Sequence, residues 1–175
     1  MTSCLEELRD HISAFDGRAT TILGEAEARY RDRPDYLESL VALAGDETHA
    51  VSSGATWLIK AHLEAGGTLG RSETTGLLSS LAPITAWDVQ LHLCQIAQYL
   101  TFSAKDANRF ATWLESLLTH KRPFLRAWSV DALCRIALQH GRYREKAEDA
   151  LEAASKDKAA SVAARMRRLR KELGL

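Results

Sequence analysis

The 175-residue chain has few of the residues that mark disulfide-bonded, metal-binding or β-rich proteins. It contains three prolines and three cysteines, and Cys4, Cys94 and Cys134 show no CxxC spacing. An odd number of widely spaced cysteines predicts neither a disulfide framework nor a zinc ribbon. The six histidines include no HxxxH or HExxH pair, and we therefore expect no metal site and no cofactor.

Long apolar runs and export signals are also missing from the sequence. No stretch approaches the roughly 20 apolar residues that a membrane-spanning helix requires. The first ten residues, MTSCLEELRD, carry acidic side chains and lack the basic-then-apolar pattern of a signal peptide. We therefore expect a cytoplasmic protein with no membrane partner.

The charge of the chain is balanced overall but unevenly distributed. The formal net charge is zero, from 23 basic and 23 acidic residues. Residues 1–120 contain 9 Lys or Arg against 16 Asp or Glu, and residues 121–175 contain 14 against 7. Such a distribution can steer a charged partner to one part of the molecule, or lead copies of the chain to associate. The sequence leaves both alternatives open.

Helical periodicity runs through nearly the whole chain, and short breaks separate its segments. Ser3 and Glu6 form a capping box before the first helix, Ser103 caps another, and Pro34 and Pro123 each open one. No segment alternates like a strand, so we predict an all-α fold of about nine to ten helices. The predicted helices are one ending near residue 16, one ending near 30, 34–44, one ending near 66, 72–81, 85–100, one after Ser103, 123–140, 143–155 and 159–173.

The chain contains an internal repeat of about 40 residues. Residues 83–99 align without gaps on residues 123–139, sharing the first proline and a Leu, a Cys, an Ile and an Ala. Related segments lie one helix upstream, at an offset of 35, and one helix downstream, at 36. Such periods, with two helices each, are typical of solenoids whose helix pairs stack into a continuous core. We predict a single domain, with an N-terminal helical cap at 1–33 and about four antiparallel helix pairs at 34–173.

The second helices of these pairs resemble those of HEAT repeats. FLRAWSVDALCRIA and ASVAARMRRLRKEL combine an apolar-then-Arg start with small interior residues. The succession GATWLIKAHLE, AWDVQLHLCQI and FLRAWSVDALCRIA is similar to small bacterial-type HEAT proteins of unassigned function. The resemblance covers about residues 35–173. It implies an armadillo-like αα-superhelix that binds a partner and shares no catalytic motif.

In HEAT-like arrays the second helix of each pair lines the concave face, so its outward residues are candidate contacts. In helix 85–100 we expect an inward stripe and an outward stripe at helical spacing. The inward stripe is Trp87, Leu91, Cys94 and Leu100. The outward stripe is Asp88, His92, Gln95 and Tyr99, and the repeat offset gives the equivalent positions on the neighbouring helices. The predicted contacts to a protein or peptide are Trp57, Lys60, Asp88, His92, Gln95, Tyr99, Trp128 and Arg135. The alternative is that the tryptophans are half-buried core and the other residues form an ordinary solvated surface.

Catalysis is not predicted at any of these positions. Asp88 and His92, at i and i+4, have no serine, cysteine or threonine in register as a nucleophile, and such pairs are usually surface contacts. HEAT-like alkylpurine DNA glycosylases carry a Trp-Asp-Leu-Val-Asp segment on an inner helix. The segment from Trp87 to Leu91 is similar, but Leu91 stands where the second aspartate is found. A glycosylase-like enzyme is therefore only a remote alternative.

The densest basic cluster lies near the C-terminus, and its candidate phosphate contacts are Arg165, Arg168 and Lys171. The leading prediction is a non-enzymatic HEAT-like scaffold that binds a protein or peptide on its concave face. The alternative is nucleic-acid binding through the basic C-terminal third. The basic residues can also be a solubilising face whose cations lie favourably near the C-terminal end of a helix.

Overall fold

A computed structural model of the protein describes residues 3–174, and within that range all regular structure is helical. The predicted all-α class is therefore confirmed. Two single-turn 3-10 helices, Ala97–Tyr99 and Gly141–Tyr143, supplement the α-helices. The α-helices are α1 (Cys4–Ile12), α2 (Thr21–Tyr30), α3 (Tyr36–Leu43), α4 (His49–Glu64), α5 (Arg71–Ser79), α6 (Trp87–Ile96), α7 (Ala104–Glu115), α8 (Pro123–Gln139), α9 (Arg144–Ser155) and α10 (Ala160–Leu173).

Several predicted helix starts are confirmed by their capping groups. Ser3 Oγ accepts the Glu6 N–H, and the Glu6 carboxylate accepts the Ser3 N–H, which completes the capping box of α1. Ser103 Oγ accepts the Asp106 N–H at the start of α7. Pro123 is in the first turn of α8, where the missing N–H of proline costs nothing.

Some predicted boundaries are wrong. α3 begins at Tyr36 rather than at Pro34, which lies just before the N-cap residue Asp35. α1 ends at Ile12 rather than near residue 16, because the Asp16 carboxylate accepts the N–H groups of Arg18 and Ala19 and stabilises a turn there. α6 begins at Trp87, two residues later than predicted, and ends at Ile96 rather than at residue 100, because the 3-10 turn Ala97–Tyr99 follows it. Gln90 Nε2 donates to the Ile84 carbonyl and so fixes the segment that precedes α6.

The chain divides into two compact units, one up to Leu93 (unit 1) and one from Cys94 onward (unit 2). The boundary falls within α6. A single domain was predicted from the length of the chain, and that prediction stays untested.

In unit 1, α1 packs against α2, α3 and α4, and α3 packs against α4 and α5. The N-terminal helices predicted as a cap thus belong to the core of this unit. Leu8, Ile12 and Leu23 are fully buried. Gly54 of α4 allows close packing here, since a Cβ at this position would lie 3.1 Å from Leu23 Cδ2 and 3.5 Å from Ile12 Cβ.

In unit 2, α8 is the central helix and packs against α7, α9 and α10. The spacing of Val162, Met166, Leu169 and Leu173 at 4, 3 and 4 residues predicts one apolar stripe along α10, and the first three are fully buried while Leu173 is half-buried. Because α10 is strongly polar apart from this stripe, its attachment to the core depends on these few side chains and on ion pairs described below.

The shared Leu, Cys and Ile positions of the repeat are buried in both copies. Leu93, Cys94 and Ile96 are each 1% exposed, and the equivalent residues of α8, at 133, 134 and 136, are at most 3% exposed. Trp87 does not follow the prediction, because its side chain is 43% exposed. The buried ridge of α6 runs through Val89 and Leu93, so Trp87, in the first turn, lies outside it.

Candidate functional site

In unit 1, the predicted binding residues of α6 are bonded to α4. His49 Nε2 lies 2.8 Å from Asp88 Oδ1 and 3.0 Å from Oδ2, and Ser53 Oγ donates to Asp88 Oδ2 at 2.6 Å. Burial alone would raise the pKa of Asp88. The hydrogen bonds from Ser53 and His49 outweigh burial and lower that pKa, so the side chain is a carboxylate at neutral pH.

His92, one turn further along α6, is also held by α4. Its Nδ1 lies 3.0 Å from Thr56 Oγ1, which itself donates to the Ser52 carbonyl at 2.9 Å. Burial lowers the pKa of His92 to about 4, while Asp88 acts in the opposite direction and Lys60 in the same direction. The imidazole is therefore neutral at neutral pH.

The cluster does not have the geometry of a nucleophilic site. In a Ser-His-Asp triad the imidazole lies between the hydroxyl and the carboxylate, so that it can take the hydroxyl proton. Here the carboxylate of Asp88 lies between Ser53 and His49. Ser53 donates a hydrogen bond to this carboxylate and keeps its proton, so it remains an alcohol. The arrangement fixes side chains rather than activating one.

Cysteine chemistry is disfavoured by burial as well. The free thiols of Cys94 and Cys134 are buried, which raises the pKa of Cys94 strongly and that of Cys134 to about 11. Neither is a thiolate at neutral pH. Among residues 3–174, no group of three or more His, Cys, Asp or Glu side chains is placed to hold a metal ion.

The other predicted contacts of unit 1 lie on α4. Trp57 is half-buried and directly follows Thr56, the partner of His92. Lys60 Nζ pairs with the Glu64 carboxylate at 3.2 Å and is 22% exposed. Unit 1 therefore brings Trp57, Lys60, Asp88 and His92 to adjacent turns of α4 and α6, with all four partly accessible.

In unit 2, Trp128 and Arg135 of α8 belong to a network that includes α10. The guanidinium Cζ of Arg165 lies 4.1 Å from the centre of the Trp128 ring. The Asp131 carboxylate, 1% exposed, accepts from Arg135 Nε at 3.1 Å and also from Arg165. Glu172 completes the network, accepting from Arg135 Nη2 at 2.8 Å.

Gln95 and Tyr99 are the other predicted contacts in unit 2. Gln95 is half-buried, and its carbonyl accepts from Gln98 Nε2. Tyr99 ends the 3-10 turn after α6 and is 41% exposed. The next helix contributes Gln139, whose amide donates to the Leu100 carbonyl and accepts from the Phe102 N–H, so that the chain after Tyr99 is held in place.

The predicted phosphate contacts differ in accessibility. Arg165 is 13% exposed and is neutralised by Asp131 and Glu172, so it is not available to a phosphate. Arg168 is 75% exposed but pairs with Glu172 at 3.1 Å. Lys171 is exposed. The basic cluster is thus partly used inside unit 2.

The sequence prediction missed the groups that hold these side chains. His49 and Thr56 carried no sequence signal. The expectation that no serine or threonine is in register with Asp88 and His92 is wrong, because Ser53 of α4 contacts Asp88 and Thr56 contacts His92. Asp131 was missed because its repeat equivalent is Leu91, which is apolar. The signal that could have identified it is an aspartate within an otherwise apolar helical stretch. Such a residue requires a charged partner, which the sequence does not identify.

Polar contacts between neighbouring second helices join residues about one repeat apart. The sequence separations are 35 for Ser53 and Asp88, 36 for Thr56 and His92, and 34 for Asp131 and Arg165. Gln139 of α8 also contacts Phe102, in the loop before α7, across 37 residues. Within each unit, the helices thus meet at a spacing that matches the period of the sequence repeat.

Comparison with known proteins found no matching family model, no matching curated protein and no matching solved structure. The resemblance to HEAT repeats therefore stays an interpretation of the sequence. No helix within residues 3–174 is long and apolar enough to cross a membrane.

Proposed function

We propose that the chain is a non-enzymatic, HEAT-like scaffold whose second helices α4, α6, α8 and α10 present a binding face to a protein or peptide. The single observation that supports this most strongly is the set of polar contacts between second helices one repeat apart. They are what regular stacking of repeats would produce. A cytoplasmic location and the superhelical arrangement are parts of the same proposal.

The contacts also prepare these faces for binding. The Trp128 ring is covered by Arg165 on one side, and Arg135 is held by two carboxylates. In unit 1, Asp88 and His92 are fixed by hydrogen bonds to α4. Side chains that are already ordered lose less conformational entropy on binding, and partly exposed aromatic and charged groups are frequent at the energetic centres of interfaces.

We expect Lys60→Glu and Tyr99→Ala each to weaken binding of a physiological partner about tenfold or more, because each removes an accessible group from a binding face. The partner is first captured from cell extract with the wild-type chain, then purified and titrated against each variant by calorimetry. Arg18→Glu is the matched control for the charge change, since Arg18 is exposed in the α1–α2 connection. Equal affinities for the wild type and both face variants would contradict the proposal.

Nucleic-acid binding is a weaker candidate, because Arg165 is occupied by carboxylates. We expect no binding of the wild-type chain to a generic DNA duplex in a fluorescence anisotropy titration at low ionic strength, where phosphate contacts are strongest. The control pair is Lys171→Glu and Lys158→Glu, of which the second changes an exposed cation outside α10. Salt-sensitive binding that Lys171→Glu alone reduces would favour the nucleic-acid function instead.

A further inference from the structure

The two units carry opposite charges of equal size. Residues 3–93 contain seven Lys or Arg and fourteen Asp or Glu, and residues 94–174 contain sixteen and nine. The units are thus −7 and +7, although the chain as a whole is neutral. A partner that complements both units has to carry the same two charges, and a second copy of this chain does so. Zero net charge also removes the long-range repulsion that keeps copies apart.

Unit 2 exposes an apolar surface beside unpaired positive charge. Leu138 of α8 is 61% exposed and lines a groove of about 330 Å³ with Leu151 and Leu173. Arg144 and Glu148 line the same groove and are exposed, and Arg144 forms no ion pair with any residue the structure describes. Leu138 and Arg144 thus place an exposed apolar side chain and a guanidinium on the same surface of unit 2.

Unit 1 offers a surface of complementary character. A groove of about 380 Å³ between α3 and α5 has Val41 and Gly76 among its lining residues and two carboxylates, Glu38 and Glu73. Within residues 3–174 neither carboxylate has an ion-pair or hydrogen-bond partner. The groove is narrow at Gly76, where a Cβ would lie 3.1 Å from Val41 Cγ1.

We propose that the chain self-associates by placing Leu138 and Arg144 of one copy into the α3–α5 groove of another. Leu138 meets the apolar lining around Val41, and Arg144 pairs with Glu38 or Glu73. Because the two surfaces are different, the contact is heterologous, and each copy offers one surface of each kind. Dimers or longer assemblies are both consistent with this contact.

Sedimentation velocity of the purified chain tests the proposal. At low ionic strength we expect the weight-average sedimentation coefficient to rise with concentration, and at high ionic strength to return towards the monomer value. Leu138→Asp and the double variant Glu38→Lys/Glu73→Lys should each raise the dissociation constant about tenfold or more, through loss of leucine burial or of charge pairing. Leu138 and Glu38 are exposed, and Glu73 is half-buried. Circular dichroism checks that each variant stays folded.

Mixing the two variants gives the sharper result. Leu138→Asp keeps an intact α3–α5 groove, and Glu38→Lys/Glu73→Lys keeps an intact Leu138 surface, so the mixture should form a one-to-one dimer and nothing larger. Phe124→Asp is the matched control, because Phe124 is also 61% exposed and lies on α8 at the opposite end from Leu138. It should associate like the wild type.

Three results would overturn the proposal: a wild-type chain that is monomeric at every concentration, a variant mixture that stays monomeric, or a Phe124→Asp effect equal to that of Leu138→Asp. Self-association is measured on the pure chain, and partner binding uses Lys60 and Tyr99 instead. Failure of one therefore does not imply failure of the other.

Discussion

Replacing Asp131 by alanine is expected to lower the free energy of unfolding by about 3–5 kcal/mol, the range for removing one member of a buried ion pair. The Asp131 carboxylate lies between Arg135 and Arg165 and is almost inaccessible to water. Without it, Arg165, itself 13% exposed, keeps only Glu172 as an anionic partner. Urea denaturation followed by circular dichroism and by tryptophan fluorescence measures the loss.

The matched control is Glu152→Ala in the same unit. Glu152 pairs with Lys156 and Arg170 on the surface, where such pairs contribute little because both charges are well solvated. We expect its denaturation midpoint to stay near that of the wild type. If Asp131→Ala lowered the free energy of unfolding no more than Glu152→Ala, the network around Asp131 would not be what holds α10 against α8.

Acidification should destabilise the chain through His92. The pKa of His92 is about 4 in the folded protein, against 6.5 for an ordinary histidine, and burial is the main cause. Between these two values the unfolded chain binds a proton that the folded chain does not, so stability is full above pH 6.5 and falls as the pH drops to 4. The difference corresponds to about 3 kcal/mol at most.

The measurement compares denaturation of the wild type and of His92→Asn at pH 7 and at about pH 4.5, the lower part of this window. Asparagine can keep a hydrogen bond to Thr56 but does not titrate. The wild type should lose more stability than the variant on acidification, although both retain His120, whose pKa is lowered by burial and by neighbouring cations. Equal losses would show that His92 does not carry the effect.

The carboxylate of Asp157 contributes at lower pH. Hydrogen bonds from Arg126 and from the Ala159 N–H lower the pKa of Asp157 to about 2. Stability from this group is present above its ordinary pKa and is lost as the pH falls from about 4 towards 2. The His92 effect is therefore separated from it by measuring above pH 4.

The neutral state of His92 also bears on the proposed binding face. At neutral pH, α4 and α6 present a neutral imidazole between the cation of Lys60 and the anion of Asp88. A partner that binds there meets both charges within adjacent helix turns.

Local features of the fold were predictable from the sequence because they depend on neighbouring residues. The capping box of α1, the helix start at Pro123 and the buried stripe of α10 each involve residues within a few positions of one another along the helix. The burial of Cys94 and Cys134 followed from their places in apolar helical segments. Errors arose where a side chain reached back to the backbone, as Asp16 does after α1.

The candidate site was less predictable. The sequence selected Asp88 and His92 correctly as neighbours on α6, but it did not show that both are bonded to α4. It treated Arg165 as free to contact phosphate, although Asp131 and Glu172 neutralise it. Trp87 was expected to be buried and is exposed. Successive residues of a helix differ by about 100° around its axis, so a buried stripe that is assigned one residue out of place points to a different side of the helix.

By itself, then, the sequence determined the helical class, most helix boundaries and the apolar ridges of the repeat, since periodicity and capping act over four residues or fewer. Tertiary structure alone decided which polar groups meet. Ser53 donates to Asp88, and Asp131 accepts from Arg165, across sequence separations of 35 and 34 residues. Such contacts depend on how each helix is rotated against its neighbour. A buried charge requires a partner, but only packing determines which one.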